Sequence, residues 1–349
     1  MLTTCIGAFP KPDFLKLPDW FNLPAGPDSA EPTKSWKAAL AALGDSADDT
    51  IREASKQVMA DQVEAGIDIP TDGEVKRENY IHYHCRHLEG IDFAHLTVRE
   101  LRGGAYSAEL PTINSPIKVR DTGFLVEDWK LAQSYTNRPV KITMPGPMTV
   151  IDTNANEYYA SEKELGADIA DALNKEVLAL ADAGCIHIQV DEPVFARKPQ
   201  NALDFGVENL ERVFHGAPDH VVRTMHMCCG YPDRLDRLDY PKADPQAYFQ
   251  IIEAVDQSSV QVVSIEDAHR HNDLSLLDRI QNTTVILGVV AIALSKIESV
   301  EEIVDRLKTA LDHIDSDRLI AAPDCGLGLL GRELTRAKLK NMCEAAHQI

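Results

Sequence analysis

Short β-branched and apolar runs alternate with amphipathic segments of helical period along the whole chain. The runs are LTTCIG (2–7), GIDIPTDG (66–73), PVKITMPG (139–146), CIHIQVDEP (185–193), VVRTMHMC (221–228), VQVVSIED (260–267), TVILGVVAI (284–292) and RLIAAPDCG (318–326). Most lack clean polar alternation, and strands apolar on both faces suit a parallel sheet covered by helices. Helical segments fall between them. SEKELGADIADALNKEVLALADAG (161–184) opens with Ser161 and Glu164 at capping-box spacing and ends at Gly184. DPQAYFQIIEAVDQ and SVEEIVDRLKTALDHI fill later gaps. The pattern predicts an α/β fold: a single (β/α)8 TIM barrel over residues 1–349, one domain with insertions after the first and second strands. A doubly wound open sheet is the runner-up. The first strand is not followed by Gly-x-Gly-x-x-Gly, which weighs against dinucleotide binding.

The insertions have their own signatures. Residues 10–45 are rich in proline and polar residues and read as a long excursion after the first strand. Residues 80–137 hold a second one, with a hairpin expected in SPIKVRDTGFLVED (115–128).

Charge narrows the function. The chain carries 55 acidic against 35 basic residues, a formal net charge of −20, which disfavours nucleic-acid partners and suits a small-molecule enzyme. No apolar run approaches the ~18 residues of a membrane span, so no membrane partner is expected. MLTTCIGAFPKPDF does not read as a secretory leader. The seven cysteines are odd in number and scattered, which fits reduced thiols and a cytoplasmic location.

Candidate chemistry gathers at the ends of the strand runs. RTMHMCCGYPD (223–233) places His226 and Cys228 two residues apart, so both point to one side of a strand. Other runs end in Asp72 and Glu74, Asp191 and Glu192, Glu266 and Asp267, and Asp324 and Cys325. In a TIM barrel these ends share one rim. His226, Cys228, Glu266 and Cys325 would bring one nitrogen, two sulfurs and one oxygen to a zinc ion. A plainer reading stays open on the residues alone. Cys228 and Cys325 could be small buried hydrophobes, and the carboxylates could cap the following helices.

Seven words occur in order over nearly the whole chain: TTCIGAFPKP, DGEVKREN, PGPMT, IQVDEP, HMCCG, SIED and PDCGLG. With them the chain resembles the catalytic C-terminal barrel of cobalamin-independent methionine synthases and the short single-barrel members of that superfamily. The resemblance implies Zn2+ on His226, Cys228, Glu266 and Cys325, with the homocysteine thiol bound to it. It implies Glu74 and Asp191 as carboxylates for the substrate ammonium, and the backbone of Ile6, Gly7 and Ala8 for its carboxylate. Glu266 and Asp191 are the expected catalytic carboxylates, Glu266 being the ligand that could yield to the thiol. The family often has serine where Ala8 stands.

Two departures concern the methyl donor. Thr153 stands where the long enzymes place a pterin-stacking tryptophan, and Ala293 where they place a proton-delivering histidine. His82, His84 and His87 in YIHYHCRH either substitute for that histidine or lie on a helix surface. Cys229 has no role in the family pattern. The reading is a zinc-dependent methyltransferase that forms methionine from homocysteine, with an atypical donor (folate or corrinoid) or a partner protein that delivers the methyl group. The alternatives are alkyl transfer to another small thiol, as in epoxyalkane:coenzyme M transferase, and a non-catalytic zinc- or thiol-binding barrel.

Overall fold

The computed structural model describes residues 1–22, 31–101 and 106–349. Ten strands occur among them: β1 (Leu2–Thr3), β2 (Leu88–Leu101), β3 (Tyr106–Val119), β4 (Lys141–Pro145), β5 (Ala155–Asn156), β6 (His187–Asp191), β7 (Val222–Met227), β8 (Val262–Ile265), β9 (Thr284–Val290) and β10 (Leu319–Pro323). Seven pair in parallel in the order β1-β10-β9-β8-β7-β6-β4. The ends of this curled sheet meet through residues 69–71, where Thr4 bridges Ile69 and Thr71 bridges Lys141. The predicted second strand is therefore two single parallel bridges, not a ladder. Pro70 sits between them and has no N–H to donate; its carbonyl still accepts from the Lys141 N–H at 2.8 Å. The fold is an α/β barrel, as the strand–helix alternation predicts.

The strands alternate more cleanly than their sequences suggest. Ile142, Met144, Ile188, Val190, Met225, Met227, Val263 and Ile265 belong to the large core between sheet and helices. Their neighbours Thr143, Gln189, Asp191, Thr224, His226 and Ser264 are also buried but polar. Side chains two apart share a face, so these polar residues fill the barrel interior. A separate small cluster of Ile6, Val262, Ile286, Ile320 and Ala322 packs there with them. Each fully buried aliphatic side chain contributes about 1.5–3 kcal/mol. The buried polar groups add no such gain, and their hydrogen bonds hold the site described below.

Helices begin where their caps stand. The Ser161 hydroxyl accepts from the Glu164 N–H at the start of Glu162–Asp182. Ser299 and Glu302 form both halves of a capping box on Val300–Leu311. No helix among the described residues is long and apolar enough to cross a membrane.

The second insertion differs from expectation. The hairpin is β2 with β3, paired antiparallel from Leu88↔Val119 to Leu101↔Tyr106, and β5 adds to it. It does not lie in 115–128. There, β3 ends at Val119 and a helix, Phe124–Gln133, follows Gly123. The helix buries Leu125, Asp128, Trp129 and Ala132, the i, i+3, i+4, i+7 spacing of one helical face. Residues 10–45 lie only partly within the described residues; Glu31–Leu43 of that excursion is helical.

Candidate active site

The C-terminal ends of the barrel strands open into one cavity of about 690 Å3. Ile6, Gly7, Ala8, Glu74, Asp191, His226, Cys228 and Cys325 all line it. They come from the ends of β1, β6, β7 and β10 and from the segment after the bridges at 69–71. Thus strand ends far apart in sequence meet at one rim.

His226, Cys228 and Cys325 bring their ligand atoms within 4.8 Å of one another. The His226 ring is fully buried, and burial, aided by the charge of Lys141, pulls it down to about 3. The imidazole is therefore neutral at ordinary pH. Its Nδ1 is 2.9 Å from Ser264 Oγ, while the buried Nε2 has no hydrogen-bond partner among the described residues. With Nδ1–H donated to Ser264, Nε2 holds a free lone pair; a second partner of this kind fixes the tautomer of metal-binding histidines. The bond shared with Cys325, followed by burial, pushes the Cys228 thiol well above the usual thiol range. Protein zinc bonds run about 2.0–2.3 Å, placing ligand atoms roughly 3.5 Å apart. One neutral nitrogen and two thiols at this spread fit such an ion after a small closure.

Glu266 stands behind this trio. Cys228 Sγ donates to its Oε1 at 2.9 Å, and Lys242 Nζ is 3.3 Å from its Oε2. Burial raises its carboxyl above the ordinary range, with Lys242 opposing. The strand ends around it are tied together. Tyr248 donates its hydroxyl to Met227 O at 2.9 Å and accepts from the Glu266 N–H at 3.2 Å. The Asp324 carboxylate, next to Cys325, accepts from the N–H groups of Asp267, Ala268 and His269 at 2.9, 2.8 and 2.7 Å. Gly288 leaves room for that carboxylate; a Cβ there would lie 2.2 Å from Asp324 Oδ1.

Two carboxyl groups, of Glu74 and Asp191, line the same cavity. Asp191 is fully buried, and burial together with the charge of Glu74 pushes its carboxyl well above the usual range. Gln189 donates to it at 2.7 Å and to Ile6 O at 2.8 Å. Glu74 accepts from Thr143 Oγ1 at 2.8 Å and lies 3.5 Å from the buried Arg77. Its backbone is left-handed, at φ 54°, a conformation costing about 1–3 kcal/mol in a non-glycine residue. That turn aims the side chain at Gly7, whose Cβ position would be 2.7 Å from Glu74 Oε1. The carbonyls of Ile6, Gly7 and Ala8 accept from Gln189, Thr71 and the Leu327 N–H, which fixes this segment.

Elsewhere the cavity is aromatic. Trp20 stands 4.1 Å from Phe21 and 5.6 Å from Tyr231 between ring centroids, and all three line the wall. Thr153 also lines it, its hydroxyl donated to Thr149 O at 2.8 Å. Ala293 is buried and is not among the lining residues; its N–H donates to His269 Nε2 at 3.1 Å. His82 and His84 are buried, not on a helix surface: His82 Nε2 is 3.2 Å from Thr153 O, and His84 Nδ1 is 2.6 Å from Tyr80 O. His87 is partly exposed, its ring stacked 3.7 Å from that of Phe124. Cys229 packs in the core, and its carbonyl accepts from the Ala243 N–H.

Sequence reasoning passed over Ser264, Arg77 and Lys242. Ser264 had a signal, lying two residues before Glu266 on the same strand face. Arg77 and Lys242 are brought in by loops, and no spacing foretells them.

A family model described as the catalytic domain of cobalamin-independent synthase matches residues 22–348. A methionine synthase of Saccharolobus solfataricus is 31% identical over 345 residues, covering 98% of this chain and 92% of that protein. One of Thermococcus kodakarensis is 30% identical over 295 residues, covering 84% and 81%. Among solved structures, a B12-independent methionine synthase from Shewanella sp. W3-18-1, in complex with selenomethionine, superposes with a TM-score of 0.85. It is 30% identical, with 99% of this chain and 96% of that one covered. A putative vitamin-B12 independent methionine synthase from Listeria monocytogenes shares the fold at a TM-score of 0.74 and 19% identity, covering 100% and 98%.

Proposed function

The chain belongs to the cobalamin-independent methionine synthase family, and from that premise we propose methyl transfer to homocysteine sulfur at a zinc site of His226, Cys228, Cys325 and Glu266. Methionine synthesis by a methyltransferase, with homocysteine and a methyl donor as substrates, is what the family supports. The observation that carries the finer reading is the meeting of two sulfur donors and one imidazole within 4.8 Å, with the buried His226 Nε2 left without a hydrogen-bond partner among the described residues. The same cavity presents Glu74 and Asp191 to an amino acid.

When bound, zinc would hold the thiol deprotonated and keep its sulfur nucleophilic, where a free thiol of pKa ~8.5 is mostly protonated. The rest belongs to the protein. Glu74 and Asp191 receive the substrate ammonium. Its positive charge offsets the burial and the Glu74 repulsion that together raise the Asp191 carboxyl, and the pairing orients the amino acid. Ile6, Gly7 and Ala8 take the substrate carboxylate on a backbone already held by Gln189 and Thr71. Ser264 keeps Nε2 of His226 aimed at the ion. The methyl donor approaches along the wall of Trp20, Phe21 and Tyr231. Thr153 offers it no ring, and Ala293 no proton. A donor with a good leaving group, such as a methylated corrinoid, or a methyl group delivered by a partner protein, suits that wall.

Zinc-loaded protein with homocysteine is the test. X-ray absorption at the zinc edge is expected to gain one sulfur on homocysteine addition, and methionine is expected once a competent donor is present. An unchanged zinc shell overturns this reading in favour of a structural ion with four protein ligands.

A further inference from the structure

Glu266 faces two ways. Its Oε1 meets Cys228 Sγ at 2.9 Å, and its Oε2 meets the Lys242 ammonium at 3.3 Å. It does not line the cavity, whereas Lys242 does. It also stands outside the group formed by the His226, Cys228 and Cys325 ligand atoms. Lys242 is itself held in place. Its Nζ lies 5.1 Å from the Tyr240 ring centroid. The next residue, Ala243, donates its N–H to Cys229 O at 2.8 Å, and its carbonyl accepts from Arg270 at 2.8 Å. The loop bearing Lys242 is thereby stitched to the loop bearing Cys228. Both charges are largely withdrawn from water, with side-chain exposures of 14% for Lys242 and 5% for Glu266. A pair so placed resists separation unless each partner gains another.

We propose that Lys242 is a positioning residue that competes with the metal for Glu266 and receives this carboxylate when the homocysteine sulfur takes its ligand place. The inference rests on the zinc–thiol reading above. The carboxylate moves as an anion between two cations, and the thiol proton passes to water; no covalent bond within the protein changes. Lys242 thus makes Glu266 a retractable fourth ligand beside three fixed ones. Two opposite consequences follow. Lys242 weakens metal binding, because Glu266 must be shared. It strengthens homocysteine binding, because the displaced carboxylate finds a cation waiting.

The experiment is a double-mutant cycle read by two affinities. Zinc affinity is measured by chelator competition, and homocysteine affinity on zinc-loaded protein by calorimetry. Lys242→Met is expected to bind zinc about tenfold more tightly and homocysteine about tenfold more weakly, the scale of one charge-assisted hydrogen bond. Lys242→Arg is expected to keep both values near wild type. In a Glu266→Gln background, Lys242→Met is expected to change neither, since the pair is already broken. Lys242→Gln repeats the test should the methionine variant misfold. Equal effects in both backgrounds would mean that Lys242 acts only as a distant charge, and overturn the proposal. So would no change, or a joint loss of both affinities. If the wild-type protein binds no zinc equivalent, the zinc–thiol reading falls and takes this inference with it; normal wild-type values with an indifferent Lys242→Met remove this inference alone.

Discussion

At Asp191 a carboxyl group is held away from water beside Glu74, with Gln189 as its hydrogen-bond donor. An ammonium ion placed there has two carboxylates and little competing solvent. A hydrogen bond to a charged group is worth about 1.5–3 kcal/mol, so Asp191→Asn is expected to weaken homocysteine binding roughly ten- to a hundredfold. Calorimetric titration of zinc-loaded protein checks this, and an unchanged affinity would remove Asp191 from the binding role. The cysteines make a separate prediction. Cys325→Ala and Cys228→Ser are each expected to lose zinc on dialysis while the far-ultraviolet circular dichroism stays that of the wild type; a variant retaining one zinc equivalent is missing no ligand. The residues of these two predictions were legible in the sequence because each ends an apolar run. Lys242 was not. It lies in a loop between β7 and the helix Gln246–Asp256, and a loop's path to a distant carboxylate leaves no period to read. Ala293 was placed by counting along a motif, which gives a position in the chain but not a direction in space.

Elements were legible where one period dominated. Ser161 and Glu164 announce a helix start, and the Ser161 hydroxyl caps Glu162–Asp182; the structure adds a full capping box of Ser299 and Glu302 on Val300–Leu311. Ser299→Ala is expected to lower stability by about 0.5–2 kcal/mol, since the Glu302 N–H loses its acceptor. Urea unfolding measures this, and zinc content should be untouched because the helix Val300–Leu311 carries no site residue. Two misreadings have physical causes. FLVED (124–128) reads as the second arm of a hairpin because five residues do not distinguish a strand from little more than one helical turn; burial at 125, 128, 129 and 132 decides for the helix. GIDIPTDG was taken for a full strand, although Pro70 removes a donor and leaves two isolated bridges. The interior polar residues of β6, β7 and β8 explain why their alternation looked weak. Gln189, His226 and Ser264 serve the site by hydrogen bonding and share the barrel interior with the small apolar cluster of Ile6, Val262, Ile286, Ile320 and Ala322.

On the scale of the whole molecule, the rim that carries His226, Cys228 and Cys325 opens into a cavity of about 690 Å3, and in the proposed reading both substrates use it. In the proposed reading homocysteine takes the wall of Glu74 and Asp191, which leaves the donor the aromatic side and Thr153. A folate amine is a poor leaving group and needs a proton in the transition state. His82 and His84, two of the histidines that could substitute, are buried with ring nitrogens against backbone oxygens, and Ala293 offers no proton. Stacking of a planar ring on an aromatic side chain is worth about 1–3 kcal/mol in nucleic-acid systems, and a pterin should gain similarly. General acid help contributes ~10²–10⁴ in rate. Trp20, Phe21 and Tyr231 could recover the stacking, while the Tyr231 hydroxyl, the one O–H among them, is already donated to Gly326 O at 2.8 Å. Purified zinc-loaded protein with homocysteine and methyltetrahydrofolate alone is therefore expected to turn over several orders of magnitude below an ordinary ~10 s⁻¹. Methylcobalamin, or a cell extract containing a methyl-delivering protein, is expected to raise that rate. The readout is methionine formed per zinc. Turnover near ~10 s⁻¹ with the folate alone would mean that some other group protonates the leaving nitrogen and that Thr153 and Ala293 do not decide the donor.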